Sequence, residues 1–167
     1  MTPGSAKWWA AKTRRFRTHL NAHIATSERS DLDLWTTSGQ RALFDSMHIA
    51  DRRHGLDVVA ALRSEGVSDP EVLLAGLLHD AAKDRTGVWP RVAFSLGQAY
   101  GPWVWRLAGP LPGFALALER LRGHSAASAE LAAAAGCSPR TVELIRWQET
   151  PRDPEYGELL RSADQAN

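Results

Sequence analysis

The clearest indication of the fold of this 167-residue chain is in residues 69–84, Asp-Pro-Glu-Val-Leu-Leu-Ala-Gly-Leu-Leu-His-Asp-Ala-Ala-Lys-Asp. Aspartate followed by proline is typical of a helix start, because the carboxylate accepts a bond from a first-turn amide and proline has no amide hydrogen to satisfy. Residues 72–78 are all apolar or glycine, so the pattern predicts a helix buried on every side. His79 and Asp80 then place two ionisable side chains at the end of this buried helix.

Helix signals recur along the rest of the chain, whereas the alternating pattern of a strand does not occur at useful length. A capping residue followed by proline at 138–139 and at 153–154 predicts two further helix starts. Periodicity and punctuation predict helices over 38–66, 91–100 and 114–135, the last with a break near Gly123 left open, and a turn over 103–113. The sequence therefore predicts an all-α, single-domain helical bundle.

Composition limits the functional classes. Hydrophobic residues make up 44% of the chain and charged residues 23%, which excludes a disordered tail. The longest apolar run is far shorter than the roughly 20 residues of a bilayer span, and no secretory signal pattern is present. The single cysteine, Cys137, excludes an internal disulfide and a cysteine-based zinc cluster. We expect a soluble, cytoplasmic protein without a membrane span.

Residues 1–37 form a separate, basic N-terminal arm in this interpretation. Residues 1–29 carry six basic and one acidic side chain, a charge of +5, whereas the remainder of the chain carries −4. Trp8, Trp9 and Phe16 favour an arm that packs on the bundle; nucleic-acid or anionic-surface binding is the less favoured alternative. Homo-oligomer formation stays open.

Four side chains carry donor atoms typical of metal ligands. His54 lies on the apolar face of its predicted helix, where a histidine is most often buried and satisfied by one hydrogen bond. His79 and Asp80 end a buried helix, and burying ionisable groups is costly unless they are paired or bind a metal. Asp164 lies beside the apolar face of the last helix. Mixed imidazole and carboxylate ligands suit Mn, Fe, Co, Zn or Mg with positions open to water.

The ordered set of His54, the doublet His79-Asp80 and Asp164 resembles the H…HD…D signature of the HD-domain metal-dependent phosphohydrolases. The resemblance covers about residues 38–167, which would form the HD domain. It implies a helical bundle of the HD type and a divalent cation held by these four residues. It also implies hydrolysis of a nucleotide or another small phosphate ester through a metal-activated water.

Three further charged residues are the candidates for catalysis beside this site. Lys83 follows His79 by four positions and shares its helical face, as Asp84 does with Asp80. We expect Lys83 and Arg53 to stabilise the phosphoryl oxygens as charge shifts. Asp84, or Asp80 through its free oxygen, is the candidate for relaying a proton.

The sequence is similar to a bacterial branch of the family that includes diadenosine-tetraphosphate hydrolases. Members of that branch complete a second metal site with two further histidines. His124 matches the first of them, but Gln148 stands at the position of the second. This departure favours one ion over two, with His124 and Gln148 near the substrate phosphate. It also supports an alternative, a regulatory or scaffolding HD module that binds metal and a nucleotide without turnover.

Overall fold

The computed structural model describes Ala10 and residues 22–83, 88–108, 110–111 and 113–167. These residues form helices joined by short turns and contain no strand, so the all-α prediction is confirmed for the described part of the chain. Its nine helices are α1 (Thr26–Trp35), α2 (Ser38–Ser46), α3 (Ile49–Ser64), α4 (Pro70–Leu78), α5 (Val88–Tyr100), α6 (Trp103–Ala108), α7 (Phe114–Ala134), α8 (Pro139–Arg146) and α9 (Gly157–Ala166). None of the described helices has the length and apolar character needed to cross a membrane.

Helix α4 is the centre of the core. Asp69 caps it by accepting a hydrogen bond from the Glu71 amide at 2.9 Å, and Pro70 occupies its first position. Every residue from Val72 to Leu78 is buried, as the sequence predicts, and α4 contacts α2, α3, α8 and α9. Full burial of one leucine side chain stabilises the folded state by about 1.5–3 kcal/mol, so this helix contributes much of the core stability.

Helix α3 packs directly on α4, and the closest approach is at Gly55. A Cβ atom added to Gly55 would lie 2.4 Å from the backbone oxygen of Leu77. Only glycine permits this separation. Because His54 precedes Gly55 and His79 follows Leu77 by two positions, the contact also brings the two histidines together.

The prediction of one continuous helix over 38–66 is wrong at its centre. Met47 and His48 adopt extended backbone conformations and separate α2 from α3. The His48 ring accepts a hydrogen bond from the Ala50 amide at 3.3 Å, and it thereby caps α3 as an aspartate or serine would. The predicted stop is confirmed at Gly66, whose φ of +85° lies in the left-handed region that glycine adopts without strain.

The central part of the chain also differs from the prediction. The segment 103–113, predicted as a turn, contains the short helix α6, which begins when the Arg106 amide bonds to the Pro102 carbonyl at 3.2 Å. The helix-breaking residues on which the turn prediction rests, Gly109, Pro110 and Pro112, all follow the last residue of α6, so they do not interrupt it. Helix α5 begins at Val88, three residues before the predicted start, and α7 continues through Gly123 without a break.

The last helix begins later than its sequence signal. Asp153 accepts hydrogen bonds from the amides of Glu155 and Tyr156, at 3.0 and 2.8 Å. These bonds stabilise a turn over 154–156, and α9 itself begins at Gly157. The predicted cap therefore forms its hydrogen bonds, but the helix begins three residues later than predicted.

Part of the predicted N-terminal arm packs on the bundle. Helix α1 lies within residues 1–37, and its Leu32 is buried in the common core. Glu28, in the first turn of α1, accepts a hydrogen bond from Arg53 at 2.7 Å and so joins α1 to α3. Trp8, Trp9 and Phe16 lie outside the described residues.

Candidate metal centre

The fold brings His54, His79 and Asp164 together from α3, the end of α4 and α9. The Nε2 atom of His54 lies 2.9 Å from Oδ1 of Asp164, and that of His79 lies 3.5 Å from the same oxygen. The three donor atoms all lie within 4.8 Å of one another. Three residues that the sequence singled out as ligands therefore form one cluster.

Asp80 belongs to the same cluster. Its side chain is almost completely buried, and its Oδ2 atom lies 3.4 Å from Nε2 of His79 and 3.9 Å from Nε2 of His54. Three of the four predicted ligands thus form one cluster at the end of α4, and Asp80 lies against both of its histidines.

The spacing of these atoms fits a cation. Two ligands held about 2.1 Å from one ion, at tetrahedral or octahedral angles, lie about 3.0–3.4 Å apart. The four nitrogen–oxygen separations given above run from 2.9 to 3.9 Å, a range that includes these values. Moreover, Nε2 of His79, which faces this cluster, is buried and has no hydrogen-bond partner among the described residues. Since buried polar atoms nearly always have a partner, a bound ion would complete this arrangement.

The other ring nitrogen of His79 fixes the orientation of the imidazole. Nδ1 lies 2.8 Å from the backbone oxygen of Gly76, and because a carbonyl can only accept, Nδ1 carries the hydrogen. In the neutral ring the lone pair is then on Nε2, which faces the cluster. A ligating histidine commonly donates its second N–H in this way, which sets the tautomer.

The electrostatics of the cluster favour ionised carboxylates. Burial raises the pKa of Asp80, but the charges of His79, Lys83 and His54 lower it by more, so the pKa lies far below its usual range. Burial likewise raises the pKa of Asp164, but the hydrogen bond to His54 and the nearby charges of His79 and Lys83 lower it by more, so this pKa lies well below its usual range. Burial lowers the pKa of His54 below its usual value, which favours the neutral imidazole that a metal requires. Burial also lowers the pKa of His79, but the carboxylates of Asp80 and Asp164 raise it by more, so a metal would have to displace a proton there.

The turn that carries the ligand doublet is held from two sides. The side-chain amide of Gln148 donates a hydrogen bond to the backbone oxygen of His79 at 3.1 Å. The hydroxyl of Ser128, on α7, accepts one from the Ala82 amide at 2.9 Å. Gln148, expected near a second metal or the substrate, thus binds the backbone of a ligand residue. Ser128 was missed by sequence reasoning, although it follows His124 by four positions and so shares its face of α7.

His124 lies near the second carboxylate oxygen of Asp80. It is buried, and its Nε2 atom lies 3.6 Å from Oδ1 of Asp80. The Asp80 carboxylate therefore faces the first cluster with one oxygen and His124 with the other. The predicted role of His124 in a second metal or substrate site stays a prediction.

Lys83 is part of the cluster. Its Nζ atom donates a hydrogen bond to Oδ2 of Asp80 at 2.5 Å. Burial lowers the pKa of Lys83, but the carboxylates of Asp80, Asp164 and Asp51 raise it by more, so the ammonium form is stabilised. Asp51, buried at the start of α3, is a further site residue that sequence reasoning missed. It precedes His54 by three positions, and this helical spacing was the available signal.

Arg53 has a different environment from Lys83. Besides its bond to Glu28, its Nε donates to Oδ1 of Asp57 at 3.0 Å. These contacts fix α1 against α3, and the described contacts of Arg53 include none with the four ligands. The catalytic role of Arg53 stays a prediction, while Asp84 lies outside the described residues.

Comparisons of the chain with protein-family models, with curated proteins and with solved structures find no match.

Proposed function

We propose that this chain is a metal-dependent phosphohydrolase of the HD-domain type, acting on a nucleotide or another small phosphate ester. The observation that carries the proposal is the convergence of His54, His79, Asp80 and Asp164 beside Nε2 of His79, a buried atom that lacks a described hydrogen-bond partner. These residues would hold one divalent cation from the group Mn, Fe, Co, Zn and Mg.

Each residue around the cluster has a definable task in such a reaction. A bound divalent cation lowers the pKa of coordinated water from about 15.7 towards 7 and neutralises phosphate charge. The Gly76 carbonyl holds the ring of His79 in the tautomer that presents Nε2 to the cluster. The ammonium group of Lys83, partly exposed beside Asp80, is suited to bind a phosphoryl oxygen. Asp84 is the proposed proton relay.

A binding module without turnover is the second candidate. It is supported by Gln148, whose amide donates to the backbone of His79, where the similar hydrolases carry a ligating histidine. An amide is a weaker ligand for transition metals than an imidazole. In this alternative the cluster still binds metal, and a nucleotide binds beside it unchanged.

Metal content and phosphate release from one set of variants test the proposal. The protein is reconstituted with Mn, Co, Zn or Mg, analysed for metal, and assayed for phosphate release on a panel of nucleotides and simple phosphate esters. We expect about one metal per chain and turnover of at least one substrate. His79→Ala should lose both, because an incomplete ligand set binds metal poorly. His23→Ala, which removes an exposed imidazole remote in sequence from the ligands, is the matched control and should retain both.

The outcomes separate the candidates. Wild-type protein that takes up no metal after reconstitution would refute the metal centre and both functions that depend on it. Metal uptake that is lost in His79→Ala, with nucleotide binding but no turnover on any substrate, would support the binding module.

A further inference from the structure

We propose that Lys83 is the resident counter-ion of this centre, and that metal binding displaces its ammonium group from Asp80 so that it becomes available to an anion. The inference rests on the proposed function in one respect, since it requires the cluster to bind a divalent cation. It adds a coupling between metal binding and anion binding within one site.

A single oxygen atom is the basis of this inference. Oδ2 of Asp80 accepts the hydrogen bond of Lys83 at 2.5 Å, and the same atom faces Nε2 of His79 at 3.4 Å and Nε2 of His54 at 3.9 Å. The Asp80 oxygen that binds the ammonium group of Lys83 is therefore also the Asp80 oxygen that faces the imidazoles of His54 and His79. A metal and Lys83 would compete for it.

Burial explains why Asp80 needs a positive partner at all times. The Asp80 side chain is only 1% exposed, and an ionised carboxylate removed from water is stable only when it is paired. Without a metal, the ammonium group of Lys83 serves as that partner. When a dication takes the same carboxylate, the second cation is no longer required.

Lys83 is also able to leave. Its side chain is 25% exposed, so the ammonium can reach water without opening the core. Lysine carries a compact charge on a flexible four-carbon stem, in contrast to the rigid fork of arginine. Two cations that share one carboxylate lie within about 5 Å, where a single and a double charge repel strongly even at high dielectric constant. The displaced ammonium group stays near the metal, because its side chain belongs to the same turn as Asp80. There it would help to bind a phosphate.

Binding measurements with Lys83→Met test the competition, because methionine has a similar length but no charge. We expect the variant to bind Co(II) at least about tenfold more tightly than wild type, as the repulsion between the two cations would require. Metal-loaded Lys83→Met should bind inorganic phosphate about tenfold more weakly than metal-loaded wild type. Arg106→Met removes one positive charge from an exposed position on α6 and should change neither affinity.

A second measurement uses the wild-type side chain. The chain contains three lysines, Lys7, Lys12 and Lys83, so ¹³C,¹⁵N-lysine labelling gives few signals, and Lys83→Arg assigns the one of interest. Titration with Zn(II) should shift the Lys83 signal strongly, and phosphate should shift it again only after zinc has bound. This readout does not depend on the folding of a charge-removing variant.

The results distinguish this inference from the proposed function. Equal Co(II) affinity in wild type and Lys83→Met, or weaker binding by the variant, would overturn the competition while leaving the metal centre intact. A Lys83 signal that does not respond to bound zinc would overturn it as well. Failure of every form to bind Co(II) or Zn(II) would refute the metal centre itself.

Discussion

Gly55→Ala tests whether the contact between α3 and α4 builds the candidate metal centre. The added methyl carbon would lie 2.4 Å from the Leu77 oxygen and 3.2 Å from its carbonyl carbon. Both are backbone atoms of the buried helix α4, so no side chain can rotate away. The two helices must separate by about 1.0 Å before the contact becomes an ordinary one.

That separation has an energetic and a geometric consequence. Forcing one methyl group into a closely packed interface lowers the free energy of unfolding by about 1–3 kcal/mol. The helical preference of alanine over glycine offsets only about 0.5–1 kcal/mol of this loss. We therefore expect a net loss of up to about 2.5 kcal/mol and a Tm lower by up to about 10 °C. His54 moves with α3 while His79 stays with α4, so metal affinity should fall by about tenfold or more.

Thermal melting and Co(II) titration measure the two effects, and Gly123→Ala is the matched control. Gly123 is exposed within α7, and a Cβ atom added there would meet no atom within 4 Å. This variant should gain about 0.5–1 kcal/mol from helix propensity and bind metal as wild type does. If Gly55→Ala melts and binds Co(II) like Gly123→Ala, the close contact does not position the histidines, and the reasoning is refuted.

Two further predictions concern buried hydroxyl groups. Ser128→Ala leaves the amide of Ala82 without its acceptor and should lower the free energy of unfolding by about 1–3 kcal/mol. The control is Ser125→Ala, which removes a buried hydroxyl with no described partner and should be neutral or stabilising. Urea denaturation compares the pair, and equal losses would contradict the contact of Ser128. Thr141→Val deletes a buried hydroxyl that donates to a backbone oxygen of α4 at 3.0 Å and should cost about 1–2 kcal/mol, whereas exposed Thr150→Val should cost little. A Thr141 variant as stable as the Thr150 variant in the same assay would show that the bond does not stabilise the fold.

The parts of the fold that local chemistry determines were predictable from the sequence. Asp69 caps α4 and the apolar run after it is buried, because a cap and a hydrophobic helix require only neighbouring residues. The break at Met47 and His48 was missed because no glycine or proline marks it. The cap there is an imidazole nitrogen, an acceptor outside the usual set of capping side chains.

The candidate ligands could be predicted from the sequence, whereas the residues that support them could not. The four candidate ligands are ionisable residues that interrupt apolar patterns, and such an interruption can be recognised from the sequence alone. They are His54, His79, Asp80 and Asp164. Gln148 contacts the His79 backbone across 69 residues of sequence, a distance over which no local pattern operates. Supporting contacts of this kind follow from tertiary packing, so they become visible only with the fold.

The candidate centre and the hydrophobic core depend on the same contacts. The doublet of His79 and Asp80 follows α4 directly, and the remaining donors come from α3 and α9, both of which pack on α4. No one of these helices holds the complete set, so the donor atoms converge only once the core has formed. The unfavourable burial of Asp80 is then offset by apolar packing along the preceding helix, and its turn is fixed by bonds to α7 and to the end of α8. A centre built on rigid, buried elements needs little rearrangement to accept an ion, which is the condition for holding ligands in place before the ion arrives.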